Sequence, residues 1–269
     1  MKQKTSKASN GGWPANVSTL SIDIGGTGLK ASVLDRTGKM AVDRVRVATP
    51  YPCTPKILLQ ALADLVSPLP PFDRISIGFP GVIRDGRTVT APHFDKRAWR
   101  DYPFAAAMSK RFGKPVRLLN DAEVQGFGIV KGRGLEVVLT LGTGAGTAVF
   151  RDGDLMPHLE LAQHPIHQNE TYNDYIGSEA LRHKGAKKWS QRVRKTIKIL
   201  NSLLHYDKLY LGGGNGNKVH RPPRDVKIES NDAGITGGIR LWYADVARSQ
   251  FQDGGRRAKR LRAKTRQKI

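Results

Sequence analysis

The chain has 269 residues, 39% of them hydrophobic, and carries 45 Lys and Arg against 23 Asp and Glu for a formal net charge of +22. That length and apolar fraction supply one large or two ordinary domains with a real core, which excludes a fibrous or wholly disordered protein. A single cysteine, Cys53, rules out an intramolecular disulfide and a cysteine-built zinc site and fits the cytoplasm, while the lack of a signal-type leader or a run of ~18 apolar residues argues against secretion and a membrane span.

Residues 1–17 read as a flexible leader, broken by Gly11-Gly12 and Pro14. Leu20 to Ile24 alternates apolar with small or polar residues as a strand does, and it runs into Gly25-Gly26-Thr27-Gly28. Further strands are predicted over 29–34 and 41–47, a helix over 57–65, and a strand over 74–79 that stops at Pro80-Gly81. Another strand, 116–119, ends on Asn120-Asp121 ahead of a helix-compatible stretch at 122–130.

The second half opens in the same way, with a strand over 136–140, the turn Gly142-Thr-Gly-Ala-Gly-Thr147 and a returning strand over 148–150. Trp189, Val193, Ile197, Leu200 and Leu204 then fall on one stripe of an amphipathic helix. A strand over 208–211 leads into Gly212-Gly-Gly-Asn215, followed by a short strand at 226–229 and a helical pattern over 234–246. Two halves built alike predict a duplicated α/β arrangement with a cleft between domains. The expected divisions are a leader at 1–17, domains at 18–120 and 121–253, and a basic tail at 254–269.

Two segments hold most of the positive charge. Arg182 to Lys198 and Arg256 to Lys268 each contain eight Lys or Arg and no acid. Clustered cations bind polyanions in a salt-dependent way, so nucleic acid, an anionic membrane surface and inorganic polyphosphate are the partner classes to weigh against a merely solvated face. Lys187, Lys188, Arg192 and Lys195 lie mostly off the apolar stripe, where they could form a track for a long anion.

The motifs point to phosphate chemistry. Asp23 stands at a strand end, and the glycines after it let backbone N–H groups approach phosphate oxygens, while the Asp23 carboxylate can hold Mg²⁺ through water. Gly142, Thr143 and Gly144 repeat that design about 120 residues later, which favours a paired phosphate clamp over two ordinary hairpins. Neither turn matches the P-loop, which needs a Gly-Lys-Ser/Thr ending. Asn120-Asp121 sits where open α/β sheets place reactive groups, so Asp121 reads either as a general base or as a helix N-cap. Glu160, His164 and His167 are metal-ligand types, but Pro165 breaks any helical ligand face among them.

Taken in order, Asp23-Ile-Gly-Gly-Thr-Gly28, Phe79-Pro-Gly81, Asn120-Asp-Ala122, Leu141-Gly-Thr-Gly144, Gly212-Gly-Gly-Asn215 and Ala233-Gly-Ile-Thr-Gly-Gly238 resemble the repressor/ORF/kinase (ROK) family of sugar kinases, most of all its polyphosphate glucokinases. The resemblance spans roughly residues 19–248. It implies an α/β, two-domain actin-like ATPase (ribonuclease-H-like) fold with a cleft between domains, and a homodimer. It also implies that Asp121 deprotonates a sugar 6-hydroxyl. Asp23, Gly25, Gly26, Thr27, Gly28, Lys30, Gly142, Thr143, Gly144, Gly213, Gly214 and Asn215 would serve the donor, with Mg²⁺ at Asp23.

Asn120, Asp121, Glu160, Gln163 and His93 would face the sugar. This chain departs from the family pattern there, with Ala91-Pro-His93-Phe94 where Asn is common, Glu160-Leu-Ala-Gln163 where Glu-x-Gly-His is common, and Pro165 where a second Glu falls. The expected activity is phosphoryl transfer from polyphosphate, and also ATP, to the 6-hydroxyl of glucose. The alternatives are an ATP-dependent kinase for another hexose or amino sugar, and a non-catalytic sugar-sensing or polyanion-binding protein on the same fold. Nucleic acid ranks below polyphosphate as the polyanion, because no helix-turn-helix precedes Leu20.

Overall fold

The computed structural model describes residues 13, 14, 16–243 and 246. The first half is a sheet of β1 (Thr19–Ile24), β2 (Gly28–Leu34), β3 (Val45–Ala48), β4 (Arg74–Phe79) and β7 (Val116–Asn120), with a small hairpin of β5 (Ile83–Arg84) and β6 (Arg87–Thr88) set apart from it. Helices α1 (Pro55–Val66) and α2 (Phe104–Phe112) cover one face. In the second half, β8 (Leu135–Leu141), β9 (Ala145–Arg151), β10 (Asp154–Leu155), β13 (Lys208–Gly212) and β14 (Val226–Ile228) make the other large sheet. The hairpin of β11 (Pro165–His167) and β12 (Glu170–Thr171) precedes α4 (Tyr172–Ile176) and α5 (Ser178–Leu204).

The two sheets have one plan. The orders are β3-β2-β1-β4-β7 and β10-β9-β8-β13-β14, each with three antiparallel strands followed by parallel ones. The duplication expected from the two glycine turns is therefore present strand for strand.

Why β1 is central follows from its residues. Leu20, Ile22 and Ile24 are fully buried against the α1 side, and the alternate positions carry Thr19 and Ser21, also fully buried. Those small hydroxyl groups let other backbone come close. Ser21 Oγ donates to the Ile235 carbonyl at 2.7 Å, and Ser76 Oγ on β4 donates to the Gly238 carbonyl at 2.7 Å. Helix α3 (Asp121–Ile129) and the segment formed by α6 (Ala233–Thr236) and a 3-10 stretch at Gly237–Trp242 thus fill the layer between the sheets. Val124, Phe127, Val138, Ala148, Phe150, Tyr210 and Trp242 make that layer's core.

Several elements differ from expectation. The strand predicted over 41–47 is continuous only over Val45–Ala48: after the tight turn at Asp35, Met40 bridges Leu34 and Ala41 N–H donates to the Val33 carbonyl at 2.8 Å, but the pairing is then interrupted at 42–44. The helix predicted over 234–246 is one α-turn and a 3-10 stretch, since Gly237 and Gly238 press their backbone onto Val124 and Ser21. Helix α5 breaks at Gly185, whose φ of 71° and ψ of 158° leave the helical region. The stripe beyond that break packs as expected, with Trp189, Val193, Ile197 and Leu200 buried.

Of the expected leader, Trp13 stacks edge-on against Trp242, at 5.5 Å between ring centroids, and lies 5.1 Å from the Arg74 guanidinium, while Val17 is buried. Leader positions 1–12 and 15 and the tail 254–269 lie outside the described residues. Among those described, no helix is long and apolar enough to cross a membrane.

Candidate active site

A cleft of ~480 Å³ opens between the sheets, walled by the two glycine turns, the Pro80-Gly81 bend, the start of α3 and the Gly213–Asn215 loop. That volume suits a small polar substrate and a phosphoryl group. Both turns join the first two strands of their sheet and are closed by a backbone bond, Gly25 N–H to Gly28 O at 3.0 Å and Gly142 N–H to Gly144 O at 3.0 Å. They nearly touch: a Cβ on Gly26 would lie 3.3 Å from Thr143 Oγ1, and one on Gly144 would lie 3.3 Å from His93 Nε2. His93 is thereby wedged between the turns, and burial lowers its pKa, an effect that the charge of Glu160 opposes.

The acids meet here. Asp23, next to last in β1, receives Lys30 Nζ at 2.7 Å, a largely buried ion pair. Asn120, not Asp121, caps α3. Its Oδ1 accepts Ala122 N–H at 2.9 Å, its Nδ2 donates to the Gly81 carbonyl at 3.1 Å, and Glu123 Oε2 returns to Asn120 N–H at 3.1 Å, completing a capping box. Both ends of the Asn120 amide are thus engaged within the protein, although the residue still lines the cleft.

The cap leaves Asp121 as the first helical residue, with its carboxylate facing the cleft. Burial and then the charge of Asp23, with smaller pushes from Glu160 and Glu123, drive its pKa up to about 7 against the bond from Ala122 N–H. A carboxylate tuned to neutrality beside a phosphate clamp has the properties of a general base.

All the expected donor residues, from Asp23, Gly25, Gly26, Thr27, Gly28 and Lys30 to Gly142, Thr143, Gly144, Gly213, Gly214 and Asn215, line this one cleft with Asn120, Asp121, Glu160 and His93. Asn215 N–H donates to the Leu141 carbonyl at 2.8 Å and its Nδ2 to the Gly142 carbonyl at 3.3 Å, which ties the third loop to the second turn. Gln163 is exposed on the 3-10 turn after Glu160 and does not reach the cleft.

The four helix cations do not line the cleft either. Arg192 is an internal tie: it donates to Glu170 Oε1 at 2.9 Å, and its guanidinium lies 4.3 Å from the Tyr175 ring centroid, a ring that Lys195 approaches to 5.9 Å. Ser190 and Arg194 turn the other way, onto the backbone of His220. Lys187 and Lys188 are exposed. The helix thus presents its cations on more than one side.

Three residues escaped the sequence reading. Asn173 Oδ1 accepts Ala145 N–H at 2.8 Å and braces Gly144, a contact between positions too distant for any local pattern to reveal. Gln125 lines the cleft with its Nε2 buried beside Gly212, and because α3 is buried on all sides from Ala122 to Phe127, no amphipathic pattern marks it. His158 bridges Glu123 and Glu160; its place two residues before Glu160 was the available signal.

Among the described residues, no three His, Cys, Asp or Glu side chains converge as a metal cage. Asp23, beside the first glycine turn and paired with Lys30, is the carboxylate that would hold a Mg²⁺ in this cleft.

Residues 19–158 match the sequence model of the ROK family. A polyphosphate glucokinase of Mycobacterium tuberculosis is 29% identical over 242 residues, covering 84% of this chain and 91% of the relative. An N-acetylmannosamine kinase of Escherichia fergusonii is 33% identical over 147 residues, covering 52% of this chain and 50% of the relative. The crystal structure of an inorganic polyphosphate/ATP-glucomannokinase from Arthrobacter sp. strain KM superposes with a TM-score of 0.77 at 28% identity, covering 84% of this chain and 98% of that one. The fold is the two-domain actin-like α/β fold with its cleft between the sheets. With the family's sequence pattern running through more than half of its length, the chain belongs to the ROK family.

Proposed function

We propose that the protein is a cytoplasmic sugar kinase that moves a phosphoryl group from inorganic polyphosphate, and also ATP, to the 6-hydroxyl of glucose. The observation that carries this reading is the Asp121 carboxylate, with a pKa pushed up to about 7, in one cleft with both glycine turns. The polyphosphate glucokinase and glucomannokinase likenesses, each spanning 84% of the chain, support the donor and the sugar class.

Asp121 takes the proton of the 6-hydroxyl as that oxygen attacks the terminal phosphorus. The bond from that phosphorus to its bridging oxygen breaks, and the shortened chain leaves with the electron pair. N–H groups of the two turns orient the phosphoryl oxygens, and Lys30 fixes Asp23 in place. Mg²⁺ held at Asp23, when bound, would supply neutralisation of the donor's charge. Glu160 and His93 line the sugar end of the cleft.

A second reading, an ATP-dependent kinase for another hexose or an amino sugar, draws support from the exposed Gln163 and from Pro165, which leave the sugar end with fewer hydroxyl partners, and from the N-acetylmannosamine kinase likeness. A matrix of polyphosphate and ATP against glucose, mannose and N-acetylmannosamine separates the two. The first reading expects the highest kcat/KM for polyphosphate with glucose. Turnover with ATP and an amino sugar alone would replace it with the second.

A further inference from the structure

His158 belongs to none of the motifs that mark the cleft, yet it joins two of its acids. Nδ1 lies 2.8 Å from Glu123 Oε1, and Nε2 lies 3.4 Å from Glu160 Oε2. Glu123 is buried in the first turn of α3, where its other oxygen accepts the Asn120 N–H and so fixes the cap that sets Asp121 at the start of the helix. Glu160 stands on a loop of the second half and lines the cleft with Asp121.

Ionised carboxylates accept hydrogen bonds and cannot donate them. A ring held between two of them satisfies both only with a proton on each nitrogen, as an imidazolium. The surroundings agree. Burial works to lower the His158 pKa, but the hydrogen bonds to Glu123 and Glu160 outweigh it and push the value up to about 9.

We propose that His158 is a positioning residue that, as an imidazolium, holds Glu160 toward the sugar and ties it to the helix cap carrying the base Asp121. This rests on reading the cleft as the site of a sugar kinase. The arrangement also has an electrostatic effect. Asp23, Asp121, Glu123 and Glu160 crowd one region, and Lys30 pairs with Asp23 while His158 pairs with Glu123 and Glu160. The groups facing the imidazole are Glu123 from α3 and Glu160 from the loop, with Asp121 behind them and His93 near Glu160. Without the imidazolium, two uncompensated carboxylates would favour the protonated form of Asp121.

The test combines His158→Gln and His158→Ala with an NMR titration of the ring nitrogens in the unmodified protein. His158→Ala should raise the sugar KM about tenfold while leaving the donor KM unchanged. The acid limb of kcat/KM should move upward by about one pH unit in both variants, because neither side chain carries charge. His158→Gln, which can still donate one hydrogen bond, should recover part of the sugar KM but none of the limb shift. In the unmodified protein the ring should carry both protons at pH 7 and lose that state in Glu123→Gln.

A role confined to stability would lower the melting temperature and leave the limb in place. An unmoved limb with an unchanged sugar KM, or a neutral ring at pH 7, overturns the proposal. If no sugar is phosphorylated with any donor, the kinase reading fails, while the nitrogen spectrum still decides whether the charged bridge exists.

Discussion

Gly26 and Thr143 face each other across the cleft from the two halves of the chain, so close that a Cβ on the glycine would come within 3.3 Å of both Thr143 Cγ2 and Oγ1. The absence of a side chain at 26 is what lets the two turns close on one small group rather than stand apart as separate hairpins. Gly26→Ala should therefore raise the donor KM about tenfold, with the sugar KM little changed, because one added methyl forces the turns apart by a few tenths of an ångström. Steady-state kinetics with each substrate varied in turn provide the check.

The pKa of Asp121 predicts both a rate profile and a stability trend. As a base it must be ionised, so kcat/KM should climb with pH and level off above about 7. Its folded pKa lies above the unfolded value of ~3.9, so between those values the folded state binds the extra proton and stability falls as pH rises. Asp121→Asn removes this penalty. Its melting temperature should exceed that of the unmodified protein at pH 8 and match it at pH 4.

The cations of α5 should separate into two kinds. Arg192→Ala loses the Glu170 pair and the Tyr175 contact, and is expected to cost about 1–2 kcal/mol of stability, read from a denaturant midpoint. Lys187→Ala combined with Lys188→Ala removes only exposed charge. That variant should weaken the use of long-chain polyphosphate and flatten its salt dependence, without changing kinetics with ATP. Equal losses with both donors would remove these lysines from any phosphate track.

Gly237 offers a test of the layer between the sheets. A Cβ there would fall on the Val124 carbonyl and within 2.9 Å of the Gly128 nitrogen, both backbone atoms that cannot swing aside. Gly237→Ala should cost about 2–3 kcal/mol, with cleft residues otherwise untouched.

That same segment shows where the sequence stops being legible. The apolar spacing of Gly234 to Val246 reads as a helix, but the close approach of Gly237 to α3 and of Gly238 to Ser21 is a tertiary demand, and spacing carries no trace of it. Strands β1, β2, β8 and β9 were readable because apolar stretches run into or out of a glycine turn, and β4 runs over the residues expected of it, Arg74 to Phe79. The glycine-turn wall of the cleft was readable for a related reason: glycine marks where backbone N–H groups lie open to a ligand. The sugar end was less so. Gln163 looked like a ligand by position, yet the turn after Glu160 carries it outward, while Asn173 reaches the second turn from 28 residues away and His158 and Gln125, though close in sequence to Glu160 and Asp121, belong to no motif that marks them.

The most direct test of the central claim is the turnover of Asp121→Asn with polyphosphate and glucose, measured beside glucose binding by calorimetry. The substitution keeps the size of the side chain and removes the capacity to take a proton. A fall in kcat of about 100- to 10,000-fold with glucose affinity nearly unchanged is the predicted result. A kcat within a few-fold of the unmodified enzyme would contradict Asp121 as the base, and with it the reading of this cleft.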